Sequence, residues 1–328
     1  MADLSTKLMG LDLKNPVIVA SSGLTSSLEK LKACEEAGAG AVVLKSIFEE
    51  QITAEVDGVV AAGETPYAHT EAADYIRNYG RENAVRGFIE LISNAKKELS
   101  IPVIASVHCI SAGGWTDFAT RVEQAGADAI ELNIFVLPSD VERDGRSYEQ
   151  VYFDVLGAVK SRVNIPVALK IGQRFSALAH TAHGLAGSGA DALVMFNRFA
   201  RFDFDINEME MVHANFLSEP GEMLVPLRWI AILSDEVPCD LVATTGVHDG
   251  KGVVKMLLAG AAAVEICSVL YQHGVTRIGP ILDELSAWMD EHGFASIADF
   301  KGKMSQESSS DPAGYERVQF MKTSQAQS

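Results

Sequence analysis

The segment Asp128-Ala-Ile-Glu-Leu-Asn-Ile-Phe-Val-Leu-Pro-Ser-Asp140 joins a short apolar run to a polar end and then to an apolar loop. Its part Ala129–Asn133 follows the turn sequence Ala125-Gly126-Ala127, and this order predicts a buried β-strand. Glu131 and the terminal asparagine stand inside that strand, and buried polar groups need bonding partners. The loop that follows is apolar, whereas loops are normally polar and exposed. The segment therefore predicts a strand that ends at a pocket.

Composition and charge limit the classes of function. Of the 328 residues 48% are hydrophobic, which predicts a sizeable buried core. Asp and Glu number 44 against 27 Lys and Arg, and the net charge of −17 argues against a nucleic-acid surface, which needs clustered positive charge. No signal peptide is evident, and no apolar run is long enough to span a membrane. We therefore expect a cytoplasmic protein that binds neither nucleic acid nor membranes.

Two short phrases recur along the chain and predict repeated β/α units. One is a Gly-Ala turn before an apolar run, at Gly38, Gly126, Gly189 and Gly260, where glycine suits the left-handed residue that ends a helix. The other is a strand opened by proline, as in Ile101-Pro102-Val103. Internal repetition of this kind indicates a parallel sheet. The predicted strands are Val17–Ala20, Ala41–Lys45, Val103–Val107, Ala129–Asn133, Val167–Ile171, Ala192–Phe196, Leu241–Thr244 and Ala263–Ile266.

This alternation of strands and helices favours a TIM (β/α)8 barrel over an open doubly wound sheet. No G-x-G-x-x-G sequence follows the first strand, which counts against a dinucleotide-binding fold. Two connections, Ser46–Glu82 and Asn197–Leu224, are too long for scaffold, and we expect them to form long loops over the catalytic face. The helix after the first of them is predicted at Asn83–Leu99. We expect one domain over residues 1–304 and a polar, mobile tail over 305–328.

Polar residues collect at the predicted carboxyl ends of the strands, where barrel active sites lie. Lys45 and Lys170 stand in apolar strands, and a buried ammonium requires a partner. That partner is either a structural carboxylate or an anionic or electron-accepting ligand, and the position of both lysines at the functional end favours the ligand. The polar strand ends are Ser21-Ser22-Gly23, Lys45-Ser46, His108, Asn133, Lys170, Asn197, Thr244-Thr245-Gly246 and Cys267-Ser268.

The last two strands end in segments that suit a phosphate group. Thr244-Thr245-Gly246 and Cys267-Ser268 lie where barrels commonly bind phosphate, although an ordinary turn with a glycine at positive φ is the alternative. The cysteines contain no C-x-x-C pair, and the histidines form no recognisable metal set. We therefore predict no metal site.

Taken in this order, the motifs resemble those of the dihydroorotate dehydrogenase family in its soluble class 1 form. The resemblance covers roughly Leu4–Met304. The matching segments are Asn15-Pro16 with Ala20-Ser21-Ser22-Gly23, Val43-Leu44-Lys45-Ser46, Glu131-Leu132-Asn133, Ala168-Leu169-Lys170, Thr245-Gly246-Val247, Leu258-Ala259-Gly260-Ala261 with Glu265-Ile266-Cys267-Ser268, and the closing run Gly293–Lys303.

The resemblance implies a barrel that holds one FMN and, commonly in this family, a homodimer. In such enzymes a base takes a proton from the substrate carbon beside a carbonyl, and hydride passes to flavin N5. Lys170 would stabilise the reduced ring electrostatically near its N1/O2 edge. The implied cofactor-binding residues are Ala20, Ser21, Ser22, Gly23, Lys45, Ser46, Asn133 and Lys170 for the flavin and ribityl parts, and Thr244, Thr245, Gly246, Cys267 and Ser268 for the phosphate.

The substrate half departs from the family pattern. After the Glu-Leu-Asn motif the family carries a Ser-Cys-Pro-Asn type of loop with cysteine or serine as the base, but Val136 and Leu137 cannot accept a proton. Ser139 or Asp140 would replace the base if the loop folds inward, and Lys45 is the third candidate catalytic residue. The arginines near the site either bind an anion or are surface residues. The candidate substrate-binding residues are Arg77, Asn78, Asn197 and Arg198.

Three functions follow from this pattern. The first is an FMN-dependent oxidoreductase acting on CH–CH groups, which oxidises dihydroorotate to orotate in pyrimidine biosynthesis or acts on a related small carboxylated substrate. The second, favoured by the missing base, is an electron-transfer flavoprotein paired with another redox protein. The third is a non-catalytic barrel that binds FMN or phosphate.

Overall fold

The predicted strands form a closed parallel barrel. The structure, a computed structural model, describes residues 2–48, 70–108 and 112–317. The barrel strands pair in the order β3, β4, β6, β7, β8, β9, β12 and β13, and β13 pairs with β3 to close the ring, which confirms the TIM (β/α)8 barrel. The strands are β1 Thr6–Leu8, β2 Leu11–Leu13, β3 Val17–Val19, β4 Ala41–Val43, β5 Ile47–Phe48, β6 Val103–His108, β7 Ala129–Asn133, β8 Val167–Ile171, β9 Ala192–Met195, β10 Phe202–Asp205, β11 Glu210–His213, β12 Asp240–Thr244 and β13 Ala263–Ile266.

Helices surround this barrel, and local side chains begin and end them. The side chains of Ser27 and Asp249 accept hydrogen bonds from backbone N–H groups in the first turns of the helices that begin at residues 28 and 250, as N-cap side chains do. The glycines of the four predicted Gly-Ala turns all have positive φ, between 93° and 112°, so the turn prediction is confirmed. The helices are α1 Leu28–Glu36, α2 Thr70–Glu98, α3 Ala112–Gln124, α4 Gly145–Lys160, α5 Leu178–Gly187, α6 Leu224–Leu233, α7 Gly250–Ala259, α8 Ser268–His273, α9 Ile278–His292 and α10 Pro312–Glu316.

The inside of the barrel is apolar at its amino-terminal end. Small and branched side chains from the strands, such as Ile18, Ala129 and Ala168, pack there in one cluster, and the β1–β2 hairpin adds Leu8 and Leu13 to it. Side chains alternate across a strand, so the residues two positions after Ala129 and Ala168, which are Glu131 and Lys170, also point inward. The apolar layer therefore supports a second interior layer nearer the carboxyl ends.

Both long connections contain regular structure. Helix α2 begins at Thr70, so the prediction of a loop as far as Glu82 and of a helix start at Asn83 is wrong. Residues 70–82 contain no proline, and one glycine inside a long helix is tolerated at a cost of about 1 kcal/mol. Residues 49–69 of that loop lie outside the described residues. The second connection carries the antiparallel hairpin β10–β11, which the alternation of Phe and Asp in residues 202–205 indicates.

The first part of the expected tail lies against the barrel. Ser305 is fully buried, and the Gln306 N–H donates to the Ala231 oxygen at 2.7 Å. Tyr315 Oη donates to the Met304 oxygen at 2.9 Å. The division of the chain at residue 304 and the mobility of the tail stay predictions, and residues 318–328 lie outside the described residues. None of the helices in the described ranges has the length and apolar character of a membrane span.

We predict that Gly40→Ala destabilises the fold. A Cβ at residue 40 would lie 2.1 Å from the Asn15 backbone oxygen, a distance that real structures do not show. Overpacking of this kind costs about 1–3 kcal/mol, to be measured as a lower free energy of unfolding in urea. The control is Gly87→Ala in α2, where a Cβ would meet nothing within 4 Å and should be neutral or stabilising. Equal stability of the two variants would contradict the close contact of residue 40 with Asn15.

Candidate active site

A cavity of about 320 Å³ opens at the carboxyl ends of the barrel strands. Its wall combines the ends of β3, β8, β9, β12 and β13 with the segment that follows β9. Apolar side chains such as Phe196 and Ile266 face it, together with Lys170 and Glu265. A concave site of this size with a few convergent polar groups suits a small organic ligand. The predicted site residues in its wall are Ala20, Ser21, Lys170, Asn197, Arg198, Thr244, Thr245, Gly246, Cys267 and Ser268.

Two carboxylates hold the Lys170 ammonium in the barrel interior. Lys170 Nζ lies 2.6 Å from Glu265 Oε2 and 3.6 Å from Glu131 Oε2. The three residues come from β8, β13 and β7, and each is at most 9% exposed. Desolvation of an unpaired ion costs several kcal/mol, so these charges need one another. The sequence left open whether Lys170 is paired with a structural carboxylate or with a ligand. In the structure it has carboxylate partners and also faces the cavity.

Burial and mutual attraction set the protonation of this cluster. Burial disfavours the charged form of Lys170, but the carboxylates of Glu131 and Glu265 outweigh it and raise the pKa of the ammonium. Burial, and after it the negative charge of Glu131, raise the pKa of Glu265 to about 8. Lys170 therefore stays positive at neutral pH, within a carboxylate environment that resists a second negative charge.

Three hydroxyl groups connect the cavity wall to Glu131. Ser21 Oγ lies 3.0 Å from Ser46 Oγ, and Ser46 Oγ lies 2.7 Å from Ser106 Oγ. Ser106 Oγ then donates to Glu131 Oε1 at 2.9 Å. The Ser46 N–H also donates to Ser21 Oγ at 2.8 Å. Ser46 therefore lies at the carboxyl ends of the barrel strands, as the sequence predicted, and its hydroxyl links Ser21 to Ser106.

An asparagine pair lies across the strand ends. Asn197 Nδ2 donates to Asn133 Oδ1, and His108 Nδ1 lies 2.6 Å from the Asn133 carbonyl oxygen. Of the two asparagines, Asn197 lines the cavity. Asn133, the polar end of β7, thus contacts a second polar side chain, and this contact positions Asn197 in the cavity wall.

Ser218 joins the two segments predicted to bind phosphate. Its N–H donates to Ser268 Oγ at 2.9 Å, and its Oγ accepts from the Gly246 N–H at 3.3 Å. Thr245 and Gly246 have φ values of 77° and 78°, in the left-handed region. A Cβ at residue 246 would lie 2.4 Å from the Met223 nitrogen, so the turn itself also requires this glycine. Hydroxyl and backbone donors that meet at a tight turn suit an anion.

The remaining predicted cofactor residues lie beside the cavity. Lys45 is exposed, so the expectation of a second buried lysine is wrong. Side chains alternate in direction along an extended segment, and Leu44 and Ser46 on either side of Lys45 are the ones that are buried. Ser22 Oγ accepts the Leu24 N–H at 3.2 Å and begins a 3₁₀ turn. Gly23 lies against Tyr271, whose Oη would be 2.7 Å from a Cβ at that position.

The candidate base and substrate residues are dispersed. Ser139 and Asp140 are exposed in the loop after β7 and outside the cavity wall, and their roles stay predictions. Arg198 Nε lies 3.0 Å from Glu222 Oε2, and its other N–H groups donate to carbonyl oxygens of residues 215–217, which favours a structural role. Arg77 and Asn78 belong to helix α2, and their side chains lie outside the described part of the chain.

Sequence reasoning missed Glu265, Ser106 and Ser218 as site residues. A usable signal was present for two of them, because Glu265 follows the interior residue Ala263 by two positions and Ser106 follows Ile104 in the same way. Both were therefore placed to point inward. Ser218 lies in an irregular segment, where periodicity predicts nothing.

The geometry defines the class of fold and the place of the site. The chain is a (β/α)8 barrel that carries a buried cluster of Lys170, Glu131 and Glu265 and a tight turn at Gly246 at the carboxyl ends of its strands. The family model for dihydroorotate dehydrogenase matches residues 3–289, and the chain belongs to that family.

Curated relatives agree along nearly the whole length. The chain is 31% identical over 311 residues to the "Dihydroorotate dehydrogenase B (NAD(+)), catalytic subunit" of Thermoplasma volcanium, covering 92% of this chain and 98% of that protein. Proteins of the same name are 30% identical in Thermoplasma acidophilum, covering 92% and 99%, and 26% identical in Bacillus thuringiensis, covering 92% and 97%.

We predict that Glu265→Gln changes how stability depends on pH. The pKa of Glu265 in the folded protein is raised from 4.5 to about 8, so between these pH values the folded state binds a proton that the unfolded state has lost. The stabilisation that Glu265 provides is therefore complete below about pH 4.5 and is lost as the pH rises toward 8. The variant lacks this titration, so wild type should lose stability relative to it across that window in urea unfolding. The exposed Glu90→Gln is the control. Parallel stability curves for wild type and Glu265→Gln would contradict the raised pKa.

Proposed function

We propose that this chain binds FMN in the cavity and oxidises dihydroorotate, or another small carboxylated substrate, at a CH–CH bond. The observation that carries the proposal is the Lys170 ammonium, which stays positive in the cavity wall because Glu265 and Glu131 hold it there. A fixed positive charge in a site shielded from water stabilises negative charge that develops on a ligand. The family's relatives, named as dihydroorotate dehydrogenases, support the choice of substrate.

The residues of the cavity fit FMN. The exposed Phe216 in the cavity wall offers apolar surface to a planar ring, and Lys170 offers the positive charge that a reduced flavin needs. At the other end, beside the tight turn at Gly246, the hydroxyl of Ser268 offers a donor for the phosphate. FMN, when bound, supplies the acceptor for hydride. We propose the sequence-predicted cofactor residues in the wall as its ligands.

The chain's own residues then orient the substrate and move a proton. We propose that Asn197, held by Asn133, donates to a polar group of the substrate. Removal of a proton from the substrate needs a base within hydrogen-bonding reach. The loop after β7 carries Val136 and Leu137 at the family's base position, so the base comes from elsewhere, with Ser139 and Asp140 as the candidates.

The direct test is anaerobic reduction of the purified protein, followed at the flavin absorbance band. Bleaching by dihydroorotate supports the proposed substrate. A bound flavin that dithionite reduces but dihydroorotate does not would reject this substrate and retain the cofactor. Colourless protein that takes up no FMN would reject the flavoenzyme altogether.

We predict that Lys170→Gln lowers the rate of flavin reduction by substrate. Loss of a charge aimed at the reacting ring should cost on the order of 10²–10³-fold, measured by stopped-flow absorbance. Lys255→Gln removes an exposed lysine from the outer helix α7 and should react like wild type. An unchanged rate in Lys170→Gln, with flavin bound, would contradict the electrostatic role of Lys170.

Ser139→Ala and Asp140→Asn test the candidate bases one at a time. General base catalysis contributes about 10²–10⁴-fold, so the variant that removes the base should lose turnover by that factor while it keeps its flavin colour. The neighbouring exposed Glu142→Gln serves as the matched loop control. If both variants turn over at the wild-type rate, neither side chain is the base.

A second candidate is electron exchange with a partner redox protein. Specific support comes from the hairpin β10–β11, where Phe202, Phe204 and Met211 are 61%, 64% and 63% exposed, and from His213 of the same hairpin, which lines the cavity. Such exposed apolar surface marks interaction sites, and the relatives are named as catalytic subunits. Flavin that dihydroorotate cannot reduce would favour electron exchange with a partner.

We also propose that the chain forms a homodimer, which sedimentation would test.

A further inference from the structure

The charges in the barrel interior do not balance if every group is ionised. Glu131 and Glu265 would contribute two negative charges and Lys170 one positive charge, and all three side chains are buried. Excess charge in a protein interior is strongly unfavourable, and two carboxyl groups at one site respond by keeping a proton.

The hydrogen bonds of Glu131 point to the position of that proton. Glu131 Oε1 accepts from Ser106 Oγ at 2.9 Å, whereas its buried Oε2 has no hydrogen-bond partner among the described residues. Glu265 Oε2 is already bonded to Lys170 Nζ at 2.6 Å. Glu131 Oε2 lies 3.6 Å from the same Lys170 Nζ, so the two carboxyl groups meet at one ammonium. Two carboxyl groups can bond to each other only if one of them carries a proton.

We propose that Glu131 and Glu265 share one proton at neutral pH and form, with Lys170, an electrically neutral unit in the wall of the cavity. The proton satisfies the unpaired Glu131 oxygen and leaves one negative charge opposite one ammonium. Glu265 and Lys170 both line the cavity, so the unit borders the space that a ligand occupies. It is therefore a proton-holding site beside the proposed cofactor, with Glu131 and Glu265 as positioning residues for the Lys170 charge.

Few other groups can supply or cancel this proton. At the end of β13, burial raises the pKa of the Cys267 thiol, so it stays neutral. The Ser106 hydroxyl on β6 is neutral, and Lys45 beyond β4 is exposed. From the ends of β3, β9 and β12, the neutral Ser21, Phe196 and Thr244 line the cavity. Arg198, Arg201 and His213 from the segment after β9 line it as well, and both arginines are paired with Glu222. The balance is thus set by the two carboxyl groups and Lys170.

Infrared spectroscopy of full-length protein with carbon-13-labelled glutamate carboxyl groups tests the shared proton. Wild type at neutral pH should show the C=O band of a protonated glutamate, which shifts with the label and in D₂O. Glu265→Gln should lose the band, because Glu131 then faces Lys170 alone. Glu131→Gln should lose it as well, because Glu265 then ionises beside Lys170. The exposed Glu90→Gln should keep it.

Two outcomes would overturn the proposal. Absence of the band from folded wild type would mean that both carboxyl groups are ionised. A band of full strength in Glu131→Gln would mean that Glu265 holds a proton by itself and shares none. Lys170→Met gives an independent check, because removal of the ammonium should strengthen the band as the second carboxyl group also protonates. Circular dichroism and thermal melts establish that each variant is folded.

A second measurement concerns ligand binding and rests on the proposed function. When the pair loses its proton at mildly alkaline pH, the unit becomes negative and should weaken the binding of FMN, an anion. The affinity of apoprotein for FMN should therefore fall with rising pH in wild type and fall less in Glu265→Gln. Equal pH dependence in the two proteins would contradict the link to the cavity. Absence of FMN binding at every pH would instead reject the proposed cofactor and leave the infrared result standing.

Discussion

Closure of eight parallel strands into one ring is the constraint on which this structure depends. Each strand turns every second side chain inward, and the ring brings all of these side chains into one narrow space. Near the amino-terminal ends the space is filled by apolar residues such as Ile18 and Ala168. One layer further along the strands, Glu131, Lys170 and Glu265 meet in this space, and Lys170 and Glu265 also border the cavity.

That second layer is stable only as a whole. A buried ammonium or carboxylate without a partner costs several kcal/mol, and removal of one member of such a pair typically costs about 3–5 kcal/mol. Ser106 supplies a hydrogen bond to Glu131 from β6, and Ser46 and Ser21 continue the network to the cavity. A polar network of this kind lowers stability compared with an apolar core, and it places a fixed positive charge at the cavity.

The segments beyond the strand ends differ in how closely they hold the family pattern. The turn at Thr245-Gly246 is bound to Ser218 and packs tightly on Met223, so its geometry tolerates little change. The loop after β7 has exposed residues and carries no proton acceptor at the family's base position. Loops vary more easily than the strands that carry them. Most of the residues proposed to bind the cofactor thus belong to the barrel strands and their ends, whereas the candidate bases lie on a loop.

The sequence by itself determined the barrel, because strand and helix periodicity, proline-opened strands and Gly-Ala turns are local signals that repeat along the chain. It also placed Lys170, Asn133 and Thr245-Gly246 at the functional end, since strand ends can be read from the same pattern. The tertiary structure decided which buried groups meet. Glu265 joins Lys170 from a strand 95 residues away, and Lys45 is left outside the charged cluster. Such contacts join residues far apart in the chain, and no local pattern specifies which of the inward-pointing side chains meet.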